Sequence, residues 1–146
     1  MPYRSAMPHT GGCLCGAIRY AVEAPLEELR ACHCTDCQRA SGGHGAVVAF
    51  VRAESFKLLR GTPKRYAKKA DSGRTLVRYF CAECGSSLYS HREATPEVIG
   101  VRAGTLDDSS ELRITAHIWT NSAQPWSYLD PAAKHYPAQP EAPPSV

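Results

Sequence analysis

Seven cysteines in three tight clusters constrain this chain more than any other feature. They are Cys13 and Cys15, then Cys32, Cys34 and Cys37, then Cys81 and Cys84. The spacings are Cys-x-Cys, Cys-x-Cys-x-x-Cys and Cys-x-x-Cys. Cysteines two residues apart make poor disulfides but good joint ligands of one metal ion. The count is odd, and a chain of 146 residues can bury a core without cross-links. Core cysteines would be scattered singly among apolar residues, and these are not. Thiolate-rich sites select zinc or iron–sulfur clusters. A structural zinc takes four protein ligands and a catalytic zinc takes three plus an open position, so seven divides into four and three.

Glycines decide which four. Gly16 follows Cys15 and Gly85 follows Cys84, whereas Gln38 follows Cys37. A glycine there permits the tight turn that aims backbone N–H groups at sulfur. The first and last clusters are therefore alike, two half-sites that together make one site of Cys13, Cys15, Cys81 and Cys84. Closing the intervening loop of about 66 residues costs roughly 3.7 kcal/mol plus a constant. Structural zinc returns on the order of 10–16 kcal/mol, which easily offsets it.

The middle cluster grips an ion with almost no closure cost, because its three thiols lie within six residues. Thr35 and Asp36 read as a helix cap and Gly42-Gly43 as a stop, so Cys37 falls in the first turn of a short helix. Two readings stay open for its fourth position. One of His33, His44, His91 or His117 closes it, giving a second structural site, or it stays open to substrate.

Strand signals fill most of the remaining chain. Alternation marks residues 17–23 and 29–34, the latter placing Cys32 and Cys34 on one face and His33 on the other. Apolar or alternating runs follow at 45–51, 56–59, 64–67, 75–80, 98–102 and 113–119. Turn residues separate them at Gly61, Asp71, Thr95 and Leu106–Ser110. The pattern predicts a mainly β fold with one short helix after the middle cluster. It also predicts a single zinc-binding domain over residues 11–130, an N-terminal arm over 1–10 and a proline-rich C-terminal tail over 131–146.

Charge excludes some partners. The formal net charge is +3, and Asp71 interrupts the basic stretch Lys64, Arg65, Lys68, Lys69, Arg74 and Arg78, so nucleic acid is not the expected partner. No run approaches the roughly 20 apolar residues of a membrane helix. The first residues carry no apolar export signal, so a reducing, cytoplasmic setting is expected. Seven zinc-bound thiolates and two zinc ions would bring the formal charge from +3 to zero, which leaves homo-oligomerisation open.

Five motifs occur in order: Gly12-Cys13-Leu14-Cys15-Gly16, Cys32-His33-Cys34-Thr35-Asp36-Cys37, Phe80-Cys81-Ala82-Glu83-Cys84-Gly85, Gly104-Thr105-Leu106-Asp107 and His117-Ile118-Trp119 with Pro125-Trp126. Together they resemble the glutathione-dependent formaldehyde-activating enzyme family, which also takes in the centromere protein V relatives. The resemblance runs from Gly12 to Tyr128. It implies coiled antiparallel β-sheets of the Mss4-like kind. It also implies a structural zinc on Cys13, Cys15, Cys81 and Cys84, and a second, catalytic zinc on Cys32, Cys34 and Cys37.

The family's namesake reaction joins glutathione and formaldehyde into S-(hydroxymethyl)glutathione, or splits that adduct as a carbon–sulfur lyase. A small thiol such as glutathione is accordingly the expected partner. Arg39 is the nearest candidate by sequence for a substrate carboxylate, and Trp119, Trp126, His33 and Ser41 are candidates for the surroundings. The competing expectation is a non-catalytic, zinc-stabilised protein-binding module with two structural sites.

Overall fold

The structure, a computed structural model, describes residues 8–140. Most of the expected N-terminal arm, and the last six residues of the expected tail, lie outside the described residues.

Eleven strands and one α-helix occur among the described residues. The strands are β1 (His9–Gly12), β2 (Arg19–Val22), β3 (Glu28–Cys32), β4 (Ala46–Arg52), β5 (Phe56–Arg60) and β6 (Lys64–Lys69). They continue with β7 (Thr75–Phe80), β8 (Ser87–Arg92), β9 (Thr95–Arg102), β10 (Arg113–Ile118) and β11 (Lys134–His135). The helix α1 spans Thr35–Ser41. The chain is mainly β, as its alternating runs predict.

Two sheets form. One has the order β1-β2-β5, and the other β11-β10-β3-β4-β9-β8-β7-β6. Pairing is antiparallel except at β10, which runs parallel to both β3 and β11. The core lies between the sheets, where Tyr20, Val22, Leu88 and Val101 are fully buried. An aromatic ladder crosses it: Tyr20 stacks on Phe56 at 5.1 Å, Phe56 meets Tyr89 at 4.5 Å and Tyr89 stacks on Tyr79 at 4.5 Å. Such pairs add to the burial of their large apolar surface.

Three strands show no legible signal in sequence: β1, β8 and β11, the last lying within the expected proline-rich tail. β1 (His-Thr-Gly-Gly) has no side-chain periodicity, because Gly11 packs where a Cβ would strike the Tyr20 ring and the Thr105 carbonyl. β8 buries Leu88, Tyr89 and Ser90 in succession, which defeats the alternation rule. The turn expected at Thr95 falls two residues earlier: Arg92 pairs with Thr95 across a Glu93-Ala94 turn, and Thr95 opens β9.

Residues 134–139 run beside the end of β10. Tyr136 N–H donates to the His117 carbonyl at 2.8 Å, and Thr120 N–H donates to the Tyr136 carbonyl at 3.0 Å. No helix among the described residues is long and apolar enough to cross a membrane.

Candidate functional site

The four-thiol cluster forms at two hairpin turns. Cys13 and Cys15 lie between β1 and β2, Cys81 and Cys84 between β7 and β8, so the cluster joins one sheet to the other. The glycines adopt the same left-handed conformation, φ +80° at Gly16 and +79° at Gly85. Each donates its N–H back across the turn, Gly16 to the Cys13 carbonyl at 3.2 Å and Gly85 to the Cys81 carbonyl at 2.8 Å. Backbone and hydroxyl groups point at the sulfurs: Ile18 N–H reaches Cys13 Sγ at 3.2 Å and Ser86 Oγ lies 3.2 Å from Cys84 Sγ. Hydrogen bonds from Ser86 hold the Cys84 thiol down to about 5.

The four sulfurs lie within 4.8 Å of one another, and all seven cysteines are free thiols. Cys13 Sγ and Cys15 Sγ are 3.7 Å apart, Cys15 Sγ and Cys81 Sγ 3.8 Å. A tetrahedron with Zn–S bonds of about 2.3 Å has edges of about 3.8 Å. The sulfur geometry therefore fits a tetrahedral thiolate-bound metal ion.

The three-thiol cluster forms where β3 turns into α1. Cys32 ends β3, Cys34 caps the helix and Cys37 lies in its first turn. The cap itself is Cys34 and not Thr35 or Asp36, with Cys37 N–H donating to Cys34 Sγ at 3.3 Å. Gly42 ends the helix at φ +70°, as its position predicts. Cys32 pairs with Ala46 at the start of β4, and Gly45, at φ +153°, leaves room only for hydrogen against the Cys32 carbonyl. The three sulfurs also lie within 4.8 Å of one another. Hydrogen bonds from Cys32 and Cys34, then the charges of Arg102 and Arg78, hold the Cys37 thiol far below its ordinary range. Cys34 and Cys37 push Cys32 the opposite way.

No histidine or carboxylate among the described residues joins either cluster. His33 faces away from Cys32, with its Nε2 2.8 Å from Nδ1 of His117, and both rings are buried. His91 is engaged at both nitrogens, by Tyr79 Oη at 2.9 Å and by the Arg92 carbonyl at 3.1 Å. His44 lies tilted beside His33, their centroids 5.7 Å apart.

A cavity of about 410 Å³ opens beside this second cluster and not beside the first. Cys32, Cys34 and Cys37 line it together with Val48, Phe50 and Trp119. Trp119 is the only non-glycine residue at positive φ (+57°) among the described residues, and its Nε1 donates to Gln139 Oε1 at 3.3 Å. Of the other candidates, Arg39 and Ser41 are exposed on α1, and Trp126 is 67% exposed. None of these three lines the cavity. Sequence reasoning missed Arg74, Arg78, Arg92 and Arg102 as cavity residues. Arg74 and Arg78 belonged to a stretch that reads as a solvated hairpin, and the other two gave no signal.

Fold and site together define a two-sheet β protein with one four-thiol and one three-thiol cluster, each able to hold a metal ion. Residues 8–122 match the family model described as "Glutathione-dependent formaldehyde-activating enzyme", and the chain belongs to that family. A "Putative glutathione-dependent formaldehyde-activating enzyme" of Halomonas elongata is 28% identical over 101 residues, covering 66% of this chain and 64% of that protein. One of the same name from Sordaria macrospora is 29% identical over 98 residues, 63% of this chain and 40% of that protein. The match thus spans less than two thirds of either relative. The crystal structure of a Rhodobacter sphaeroides protein superposes with a TM-score of 0.56 at 27% identity, covering 69% of this chain and 90% of that one.

Proposed function

We propose that the chain is a zinc-dependent carbon–sulfur lyase or synthase that makes or splits the adduct of a small thiol and formaldehyde, with glutathione the thiol. Cys13, Cys15, Cys81 and Cys84 would hold a structural zinc, and Cys32, Cys34 and Cys37 a second zinc at the reaction site. The carrying observation is an asymmetry: three thiols, with no fourth protein ligand among the described residues, line the cavity of about 410 Å³, and the four-thiol cluster takes no part in its lining. Free thiols in all seven positions suit a reducing, cytoplasmic setting.

Zinc at the three-cysteine site would supply a coordination position where the substrate thiol is held as thiolate near neutral pH. The protein's own groups do the rest. Val48, Phe50 and Trp119 supply apolar wall beside the three thiols. Arg102 and Arg78 offset the negative charge gathered at Cys37. The cavity holds sulfur and carbonyl carbon together, which replaces a bimolecular encounter by an oriented one. In the forward direction the sulfur electron pair forms the S–C bond, the C=O π pair moves to oxygen, and that oxygen takes up, in net, the proton the thiol released. The reverse step breaks the same bond and returns formaldehyde and thiol.

The test is zinc stoichiometry followed by turnover. Two zinc ions per chain, with adduct formed from glutathione and formaldehyde faster than in buffer, support the reading. Two zinc ions with no acceleration for any thiol would turn the middle cluster into a second structural site and overturn it.

A further inference from the structure

Strand register collects arginines from distant parts of the chain onto the face that carries Cys32. Directly opposed residues share a face of a sheet. Cys32 pairs with Ala46, and in the next row Arg30 pairs with Val48, which pairs with Arg102. Further across, Gly100 pairs with Ser90, which pairs with Arg78. Arg92 follows on β8 opposite Leu76. The reverse face of these strands packs the core, through Ala49, Val101, Tyr89 and Val77.

No carboxylate among the described residues pairs with these guanidinium groups, and the Cys37 sulfur is the anionic neighbour of Arg78 and Arg102 alone. The ion pairs among the described residues are Arg19–Asp107, Arg52–Glu54, Lys57–Glu23 and Lys68–Asp36. None includes Arg78, Arg92 or Arg102, although all three are half-buried and line the cavity. Arg102 Nη1 donates to Ser90 Oγ at 3.3 Å and Arg78 Nη2 reaches Cys37 Sγ at 3.8 Å. Arg78 Nε is buried with no protein partner. Of the three carboxylates at the cavity, Asp36 is held by Lys68 at 2.6 Å, while Asp71 and Glu97 are exposed. Withdrawing charged guanidinium from water is costly unless an anion compensates it. Guanidinium is also the side chain whose fork matches a carboxylate in two-point contact.

We propose that Arg78, Arg92 and Arg102 form an anion subsite that takes a carboxylate of the thiol substrate, so that the cavity selects acidic thiols over neutral ones. This rests on the reading that a thiol occupies the three-cysteine site. The residue nearest by sequence, Arg39, has no part in it.

The test separates the subsite from the chemistry by using a ligand that cannot react. S-Methylglutathione keeps both carboxylates and has no free thiol, and its diethyl ester lacks the charges. Titration calorimetry on the full, zinc-loaded chain should show the acid binding at least tenfold tighter than the ester, and weakening as salt rises. Arg92→Gln should abolish that preference, and Arg92→Lys should retain much of it. Equal binding of acid and ester, or no binding of either, would overturn the subsite on the unaltered chain, whatever the variants do. Displacement of S-methylglutathione by an equal concentration of inorganic phosphate would overturn the carboxylate assignment. Acid-selective binding without formaldehyde turnover would keep the subsite and sink the proposed reaction; turnover without selectivity would do the reverse.

Discussion

His33 Nε2 and His117 Nδ1 lie 2.8 Å apart in the interior, both rings excluded from solvent. The backbone N–H of Asp130 donates to His117 Nε2 at 3.0 Å, so that nitrogen carries no proton. His117 is then neutral with its proton on Nδ1, which donates to His33. The pair ties β3 to β10 and anchors the chain at Asp130, where the Asp130 carbonyl also accepts from His135 Nε2 at 2.8 Å.

Burial lowers the His117 pKa, with smaller contributions from His33 and His135 in the same direction and Asp130 opposing. A base whose folded pKa is depressed contributes stability above its unfolded value, lost as pH falls below that value toward the folded one. Acidification from about pH 7.5 through the unfolded histidine value of about 6.5 should therefore destabilise the protein. His117 supplies at most about 1.4 kcal/mol per pH unit of that slope. His117→Gln should be less stable at pH 7.5 by roughly 1–3 kcal/mol, from an imperfectly satisfied buried network, and should show a shallower slope. Denaturant melts at several pH values measure both; an unchanged slope would remove His117 from the account.

The two thiol clusters should respond differently to the same substitution. Cys84→Ser breaks the cluster that joins the two sheets, and it should leave the domain unfolded or lower its melting temperature by well over 10 °C. Cys34→Ser removes one thiol from a cluster confined to residues 32–37, and on the proposed two-zinc reading the sheets should persist while one zinc is lost. Metal analysis and circular dichroism on both variants check this. Equal unfolding by both would make the two sites equivalent structural staples.

Gly45 should tolerate no side chain. A Cβ there would overlap the Cys32 carbonyl oxygen, and the backbone φ of +153° is one that other residues rarely adopt. Gly45→Ala should cost on the order of 1–3 kcal/mol and displace Cys32, weakening metal retention at the second site only. Chemical denaturation with competitive chelation reports the two effects separately.

Arg19 and Asp107 join β2 to the loop after β9, with guanidinium nitrogens 3.0 and 2.5 Å from the two carboxylate oxygens. Hydrogen bonds from Arg19 and Thr10 hold the Asp107 carboxyl below its usual range. Its stabilisation is present above the unfolded carboxyl value and is lost as pH falls toward the folded one. The pair is half-exposed, so Asp107→Asn should cost only about 0.5–1 kcal/mol at pH 7, diminishing at pH 3 and in high salt. Thermal melts in low and high salt provide the measurement.

The sequence by itself determined the two thiol clusters that could hold metal ions, because chemistry at these positions is carried by residue type at short spacing. The Cys-x-Cys and Cys-x-x-Cys pairs with their trailing glycines announce matched half-sites, and the structure gives those glycines nearly identical backbone angles. The helix after Cys34 and most strands were legible for the same local reason. What only the tertiary structure decided depends on pairing between distant segments. β8 buries three successive residues because covering β7 and β9 outweighs alternation. His33 could have closed the second site, but the strand pleat turns it into the core onto a histidine 84 residues away. Arg78, Arg92 and Arg102 lie on three strands, and only the register from β3 through β4, β9, β8 and β7 brings them onto the face of Cys32. Local spacing can specify which atoms bind a metal, whereas the wall that faces it is set by long-range register, which no short stretch of sequence encodes.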